Sequence, residues 1–114
     1  MVKSKTYVPG RGDMVWLDFT PRSGHERRGR RPAVVISPVA YNAKTNLALF
    51  CPITSQEKGY PFEVIVSSGS KIHGVILSDQ IKSLDWKARS AEFVDRLDEE
   101  AMEELIAKVR TLID

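Results

Sequence analysis

Apolar residues along the chain recur mostly with a period of two, in short runs, and with a helical period only near the C-terminus. Met14 to Phe19 alternates, with Val15, Leu17 and Phe19 on one face and Met14, Trp16 and Asp18 on the other. Ala33-Val34-Val35-Ile36 is unbroken, the pattern of a strand covered on both faces, and Ser37-Pro38 stops it. Leu47 to Ile53 predicts a third strand with Pro52 near its end, Phe62 to Val66 a fourth, and Gly74 to Leu77 a fifth with room to continue through Gln80 to Lys82. A short strand fits Ala91 to Val94. Tyr41 to Asn46 reads as a turn or one helical turn, and Ser67-Ser68-Gly69-Ser70 as a turn. The first ten residues are polar and read as loosely ordered.

The last element predicts a helix. Asp98 is a suitable N-cap, and Glu99 and Glu100 suit a first turn. Leu97 and Met102 occupy the positions of a hydrophobic staple. Met102, Leu105, Ile106, Val109, Leu112 and Ile113 form one apolar stripe, the face expected to pack on a sheet. Several short strands followed by one helix predict a compact β-barrel with a C-terminal helix.

Composition narrows the class. The chain has 114 residues, the size of one domain, 1–114. No apolar run approaches the roughly 20 residues of a membrane span, and the first eleven residues show no apolar signal-peptide core. The single cysteine, Cys51, excludes a disulfide within the chain and fits a reducing cytoplasm; its apolar setting marks it as a small buried side chain. With two histidines beside it, a histidine/cysteine zinc site is not expected, nor is any cofactor. The net charge of +2 hides an asymmetry: residues 1–91 hold 14 Lys/Arg against 7 Asp/Glu, and residues 92–114 hold 3 against 8. A basic body points to a polyanionic partner.

Thr20-Pro21-Arg22-Ser23-Gly24 breaks the first strand, and a polar loop runs on through Arg31 until Pro32 ends it. Arginines at 22, 27, 28, 30 and 31 suit phosphate contact, and Glu26 lies among them as an ionised carboxylate. Cleavage of RNA by its own 2′-hydroxyl needs a base near that oxygen, cationic stabilisation of the phosphorane, and a proton for the leaving 5′-oxygen. Glu26, Arg31 and Thr54 have that chemistry, although composition alone does not bring them together. A guanidinium stays protonated, so Arg31 suits the phosphorane and is a candidate proton donor, which leaves Glu26 as the better base. His25 reads first as a water-exposed loop histidine. Trp16 and Trp86 read as core or interface packing ahead of base stacking, and Arg89 as phosphate contact or plain surface.

Several segments resemble, in order and spacing, the MazF/PemK (Kid) family of toxins, nearest its chromosomal MazF branch. They are Gly12-Asp13; Gly24-His25-Glu26-Arg27-Arg28-Gly29-Arg30-Arg31-Pro32 with Ala33 to Pro38; Tyr41-Asn42; Pro52-Ile53-Thr54; Lys58 to Glu63; Asp79 to Ser83; and Trp86 to Arg89. The likeness runs from Gly12 to Ile113. It implies a mostly β (α+β) fold, an SH3-like β-barrel with a C-terminal α-helix. It also implies a cytoplasmic homodimer that cuts single-stranded RNA at short sequences, without a metal, to 2′,3′-cyclic phosphate and 5′-hydroxyl ends. A MazE-like antitoxin would neutralise it.

By the same resemblance Arg31 and Thr54 fall at catalytic positions, and Glu26 at a functionally important acid. Gln80 and the loop of Lys58, Tyr60 and Phe62 fall where the family lines its RNA groove; Arg27, Arg28, Ser55 and Lys82 are further candidate RNA contacts. Ser55 beside Thr54 could share its role. Two other activities suit the same fold: a CcdB-like gyrase poison, whose Trp-Gly-Ile tail is not matched by Leu112-Ile113-Asp114, and an RNA-binding module without catalysis.

Overall fold

The computed structural model describes residues 7–19, 29–67 and 69–114. Within them the elements run β1 (Asp13–Asp18), β2 (Arg30–Val35), α1 (Val39–Thr45), β3 (Leu47–Thr54), β4 (Glu63–Ile65), β5 (Val75–Leu77), β6 (Lys82–Asp85), β7 (Glu92–Arg96) and α2 (Glu99–Thr111). Every strand pair is antiparallel, in the order β4-β5-β3-β2-β1-β7, and β6 pairs with the first half of β3. β3 is therefore shared: Leu47 to Phe50 bind β6, while Ile53 and Thr54 bind β5. The result is a barrel-like, mostly β fold with a C-terminal helix, in which the ladder from β4 to β7 does not close.

Alternation along the central strands feeds two cores, one on each face of the sheet. Met14, Val34, Ile36, Cys51 and Ile53 join Leu105 and Val109 of α2 on one side. Val15, Leu17, Ala33, Val35, Ala48 and Phe50 join Trp86 on the other. All of Ala33 to Ile36 is buried, as a doubly covered strand requires. Burying each large apolar side chain contributes about 1.5–3 kcal/mol, so these faces carry most of the stability.

Polar contacts tie the ends. Buried Asn42 donates to the carbonyls of Pro9 (2.7 Å) and Ser37 (3.1 Å), and its own carbonyl accepts from the Trp86 indole at 2.9 Å. Trp86 is thus a core residue. Asp13 accepts from Tyr7 (2.6 Å) and pairs with Arg96 (2.7 Å), so residues 7–10 are held, unlike the loose terminus expected there. Asp98 caps α2 by accepting from the Ala101 amide, and Leu97 and Met102 pack on the helix-side core.

The elements differ from expectation in four places. β2 begins at Arg30 rather than after Arg31, because Arg30 pairs with Asp18 at 2.9 Å and Glu92 at 3.2 Å and is satisfied inside a ladder. The fifth strand stops at Leu77, where the Gln80 amide turns back to the Leu77 carbonyl, and a separate β6 follows. The turn or single helical turn expected at Tyr41 to Asn46 is a seven-residue helix that starts at Val39 and is closed by Asn46 at φ 62°. Leu112 and Ile113, expected in the packed stripe, are 47% and 76% exposed, since the helix ends at Thr111.

Candidate active site

β2 and β3 pair through Ala33↔Pro52, and the ladder stops there. Pro32 and Pro52 have no amide hydrogen to extend it. Continuing the same register puts Arg31 directly opposite Thr54, on the same sheet face. The strand ends part at this point, and an open groove of about 640 Å3 lies between them, lined by Arg31, Thr54, Ser55 and Gln80 among others. A second groove of about 600 Å3 adjoins it, sharing Thr54, Gln56, Leu77 and Gln80 and reaching Lys58 and Tyr60.

The two adjacent arginines have different surroundings. Arg30 is bound by Asp18 and Glu92 and by the carbonyls of Trp16 and Ser90. Arg31 is exposed and forms no ion pair with a described residue, so no carboxylate among those residues competes with an anion in the groove for its guanidinium. Thr54 is half-buried at the end of β3, and its hydroxyl accepts from the Gln56 amide at 3.2 Å.

The loop after β3 is held from below. The Glu63 carboxylate accepts from the amides of Lys58 (3.1 Å) and Gly59 (3.1 Å), while the Glu63 carbonyl accepts from Lys108 of α2 at 2.9 Å. The Tyr60 hydroxyl donates to Asp79 at 2.7 Å, which raises its pKa and keeps it protonated. The Tyr60 ring stays about half exposed, 6.0 Å from Phe62. The other Asp79 carboxyl oxygen, Oδ1, is buried without a hydrogen-bond partner among the described residues. Burial, with the Asp79 charge added, pushes the Cys51 thiol up to about 12, so it is the buried, neutral side chain expected.

Residues 10–113 match a family described as the PemK-like, MazF-like toxin of type II toxin–antitoxin systems. The chain belongs to this PemK/MazF toxin family. The endoribonuclease toxin MazF of Escherichia coli K12 is 49% identical over 107 residues, covering 94% of this chain and 96% of that protein. The crystal structure of MazF (Form-I) from Deinococcus radiodurans superposes with a TM-score of 0.85 at 47% identity, over 95% of this chain and 98% of that one. A MazE–MazF crystal structure (Form-II) from the same organism gives 0.86 at 44% identity, over 95% and 97%.

In this PemK/MazF toxin the residues expected at the site divide into three groups. Arg31, Thr54, Ser55, Lys58, Tyr60 and Gln80 line the joined grooves. Phe62 and Lys82 line neither: Phe62 is half-buried behind Tyr60, and Lys82 lies on β6 opposite Phe50. Glu26, Arg27 and Arg28, with His25, lie outside the described residues. Arg89 is a structural donor, binding the carbonyls of Asp18 (3.1 Å) and Phe19 (3.0 Å) at the end of β1. Trp16, expected in core or interface packing, is not a core residue: it is 37% exposed and lines the groove. Gln56, Lys71 and His73 also line it, and none was singled out from the sequence. Lys71 and His73 flank Ile72, which is 5% exposed, and that in–out alternation was the available signal.

Proposed function

We propose that the chain is a single-domain endoribonuclease toxin that cuts single-stranded RNA, needs no metal, acts in the cytoplasm as a homodimer, and is silenced by a MazE-like antitoxin. The observation that carries this reading is the register that sets Arg31 against Thr54 at the open end of the β2–β3 ladder. The endoribonuclease names of the relatives and the MazE–MazF complex support it. No helix among the described residues is long and apolar enough to cross a membrane.

The RNA 2′-oxygen attacks the adjacent phosphorus, the P–O5′ bond breaks, and a 2′,3′-cyclic phosphate and a 5′-hydroxyl result. Glu26 takes the 2′-hydroxyl proton, the departing 5′-oxygen receives one from water, and Glu26 returns its proton to the hydroxide left behind, so the protons balance. Arg31, permanently charged, meets the extra negative charge of the phosphorane and therefore acts mainly in the transition state. The Thr54 hydroxyl, with Ser55 beside it, hydrogen-bonds the phosphoryl group or the departing 5′-oxygen. Trp16 and Tyr60 offer exposed rings on which unpaired bases stack. An acidic antitoxin segment would occupy the same groove and compete with RNA. The test is cutting of a long single-stranded RNA in excess EDTA, with both product ends mapped. Cyclic phosphate and 5′-hydroxyl ends are expected; strict magnesium dependence or 5′-phosphate ends would overturn the reading.

A further inference from the structure

The turn between β4 and β5 is built more firmly than a surface connection needs. At one end the Lys71 amide donates to Asp95 of β7 at 3.1 Å, and the Ser70 hydroxyl reaches the same carboxylate oxygen at 3.4 Å. In the middle, Ile72 is 5% exposed and plugs the helix-side core. At the other end, Gly74 has φ +132°, and a Cβ there would collide with the carbonyl oxygen of Thr54. These three anchors fix the backbone on both sides of Lys71 and His73. Their side chains, exposed on either side of buried Ile72, line the groove that holds Arg31 and Thr54.

We propose that the turn from Gly69 to Gly74 is a second phosphate-holding wall of the RNA groove, in which Lys71 supplies a positive charge and His73 a hydrogen-bond donor. The proposal rests on the endoribonuclease reading, because the phosphodiesters of single-stranded RNA are its ligand. The charge pattern supports it. Arg31 comes from β2, Lys71 and His73 face it from the turn, and the lining of that groove includes no carboxylate among the described residues. Asp95 stands behind the turn and is engaged by the Lys71 amide, and Asp79 faces the adjoining groove, where Tyr60 binds it.

Each phosphate neutralised on a single strand contributes about 0.7 to the slope of log affinity against log salt. The experiment measures that slope, and the affinity, for full-length toxin at one fixed pH. The probe is a single-stranded RNA made uncleavable by one 2′-deoxynucleotide at the mapped cleavage site. Lys71→Gln should lower the slope by about 0.7. His73→Ala should weaken binding about tenfold, the loss of one hydrogen bond to a charged phosphate. Melting temperatures matching wild type confirm that the turn, with Ile72 and Gly74 retained, is intact. An unchanged slope in Lys71→Gln together with wild-type affinity in His73→Ala overturns the proposal. If wild type cuts RNA in EDTA while the variants bind as it does, only this inference falls. If wild type neither binds nor cuts, the endoribonuclease reading falls and takes this one with it.

Discussion

The interior of the sheet and the groove at its rim are built from the same two strands, β2 and β3, under opposite constraints. Inside, Ala33 to Val35 face Phe50 to Pro52 across a continuous ladder, and both faces are covered. Three residues along β2 toward the rim, Arg30 is still enclosed by four partners, and Arg31 is exposed beside an open groove. The ladder ends at Ala33↔Pro52, and two proline rings hold the strand ends free of further pairing. A strand that only stabilised the fold would keep pairing; here it stops where Arg31 and Thr54 would meet. The interior should therefore control stability, and the rim activity, with little exchange between the two.

Phe50→Ala tests the interior with the largest expected effect. Phe50 is fully buried, so the loss of transfer energy plus a cavity should cost about 3–5 kcal/mol, read as a drop in the urea midpoint. The folded fraction should still cut RNA at the wild-type rate; a lower rate per folded molecule would break the separation.

Glu63→Ala probes the boundary between the regions. It removes the acceptor for the Lys58 and Gly59 amides under the second groove. A cost of about 1–3 kcal/mol is expected, together with weaker RNA binding, because the Lys58–Tyr60 loop loses its support. Wild-type RNA affinity in this variant would show that the loop does not touch the substrate.

The smallest effect is a pH dependence. The Lys71 amide, then the Arg96 amide, hold the Asp95 carboxyl below the ordinary carboxylate range. A folded-state pKa below the unfolded one adds stability that is fully present above the unfolded value, about pH 4, and is lost as pH falls through the folded one. The melting-temperature gap between wild type and Asp95→Ala should thus be constant near neutral pH and shrink below about pH 4. A gap that widens on acidification would reverse the assignment.

The interior was legible in the sequence because periodicity reports burial. The run Ala33 to Ile36, the alternation of β1 and the capped stripe of α2 each named their element. Burial energies act locally along a strand or helix, which is why such patterns survive in a linear reading. The groove was legible only in part. Arg31 and Thr54 came from resemblance, since their juxtaposition depends on a cross-strand register that no spacing reveals. Arg30 and Arg31 look alike in the chain; only Asp18 and Glu92, far apart in sequence, tell them apart. The chain does not mark Lys71 and His73 as groove residues, because their placement depends on Gly74 lying against the Thr54 carbonyl and on Asp95 of β7 holding the turn.

Arg31→Ala tests the central claim most directly, with rate and stability measured on the same preparation. Losing a donor aimed at the phosphorane typically costs about 100- to 1,000-fold in rate. The account predicts a loss of that size in EDTA, relief of toxicity on expression, and a melting temperature equal to wild type, because the Arg31 side chain is exposed and forms no ion pair with a described residue. An Arg31→Ala protein that cuts RNA at the wild-type rate would contradict it.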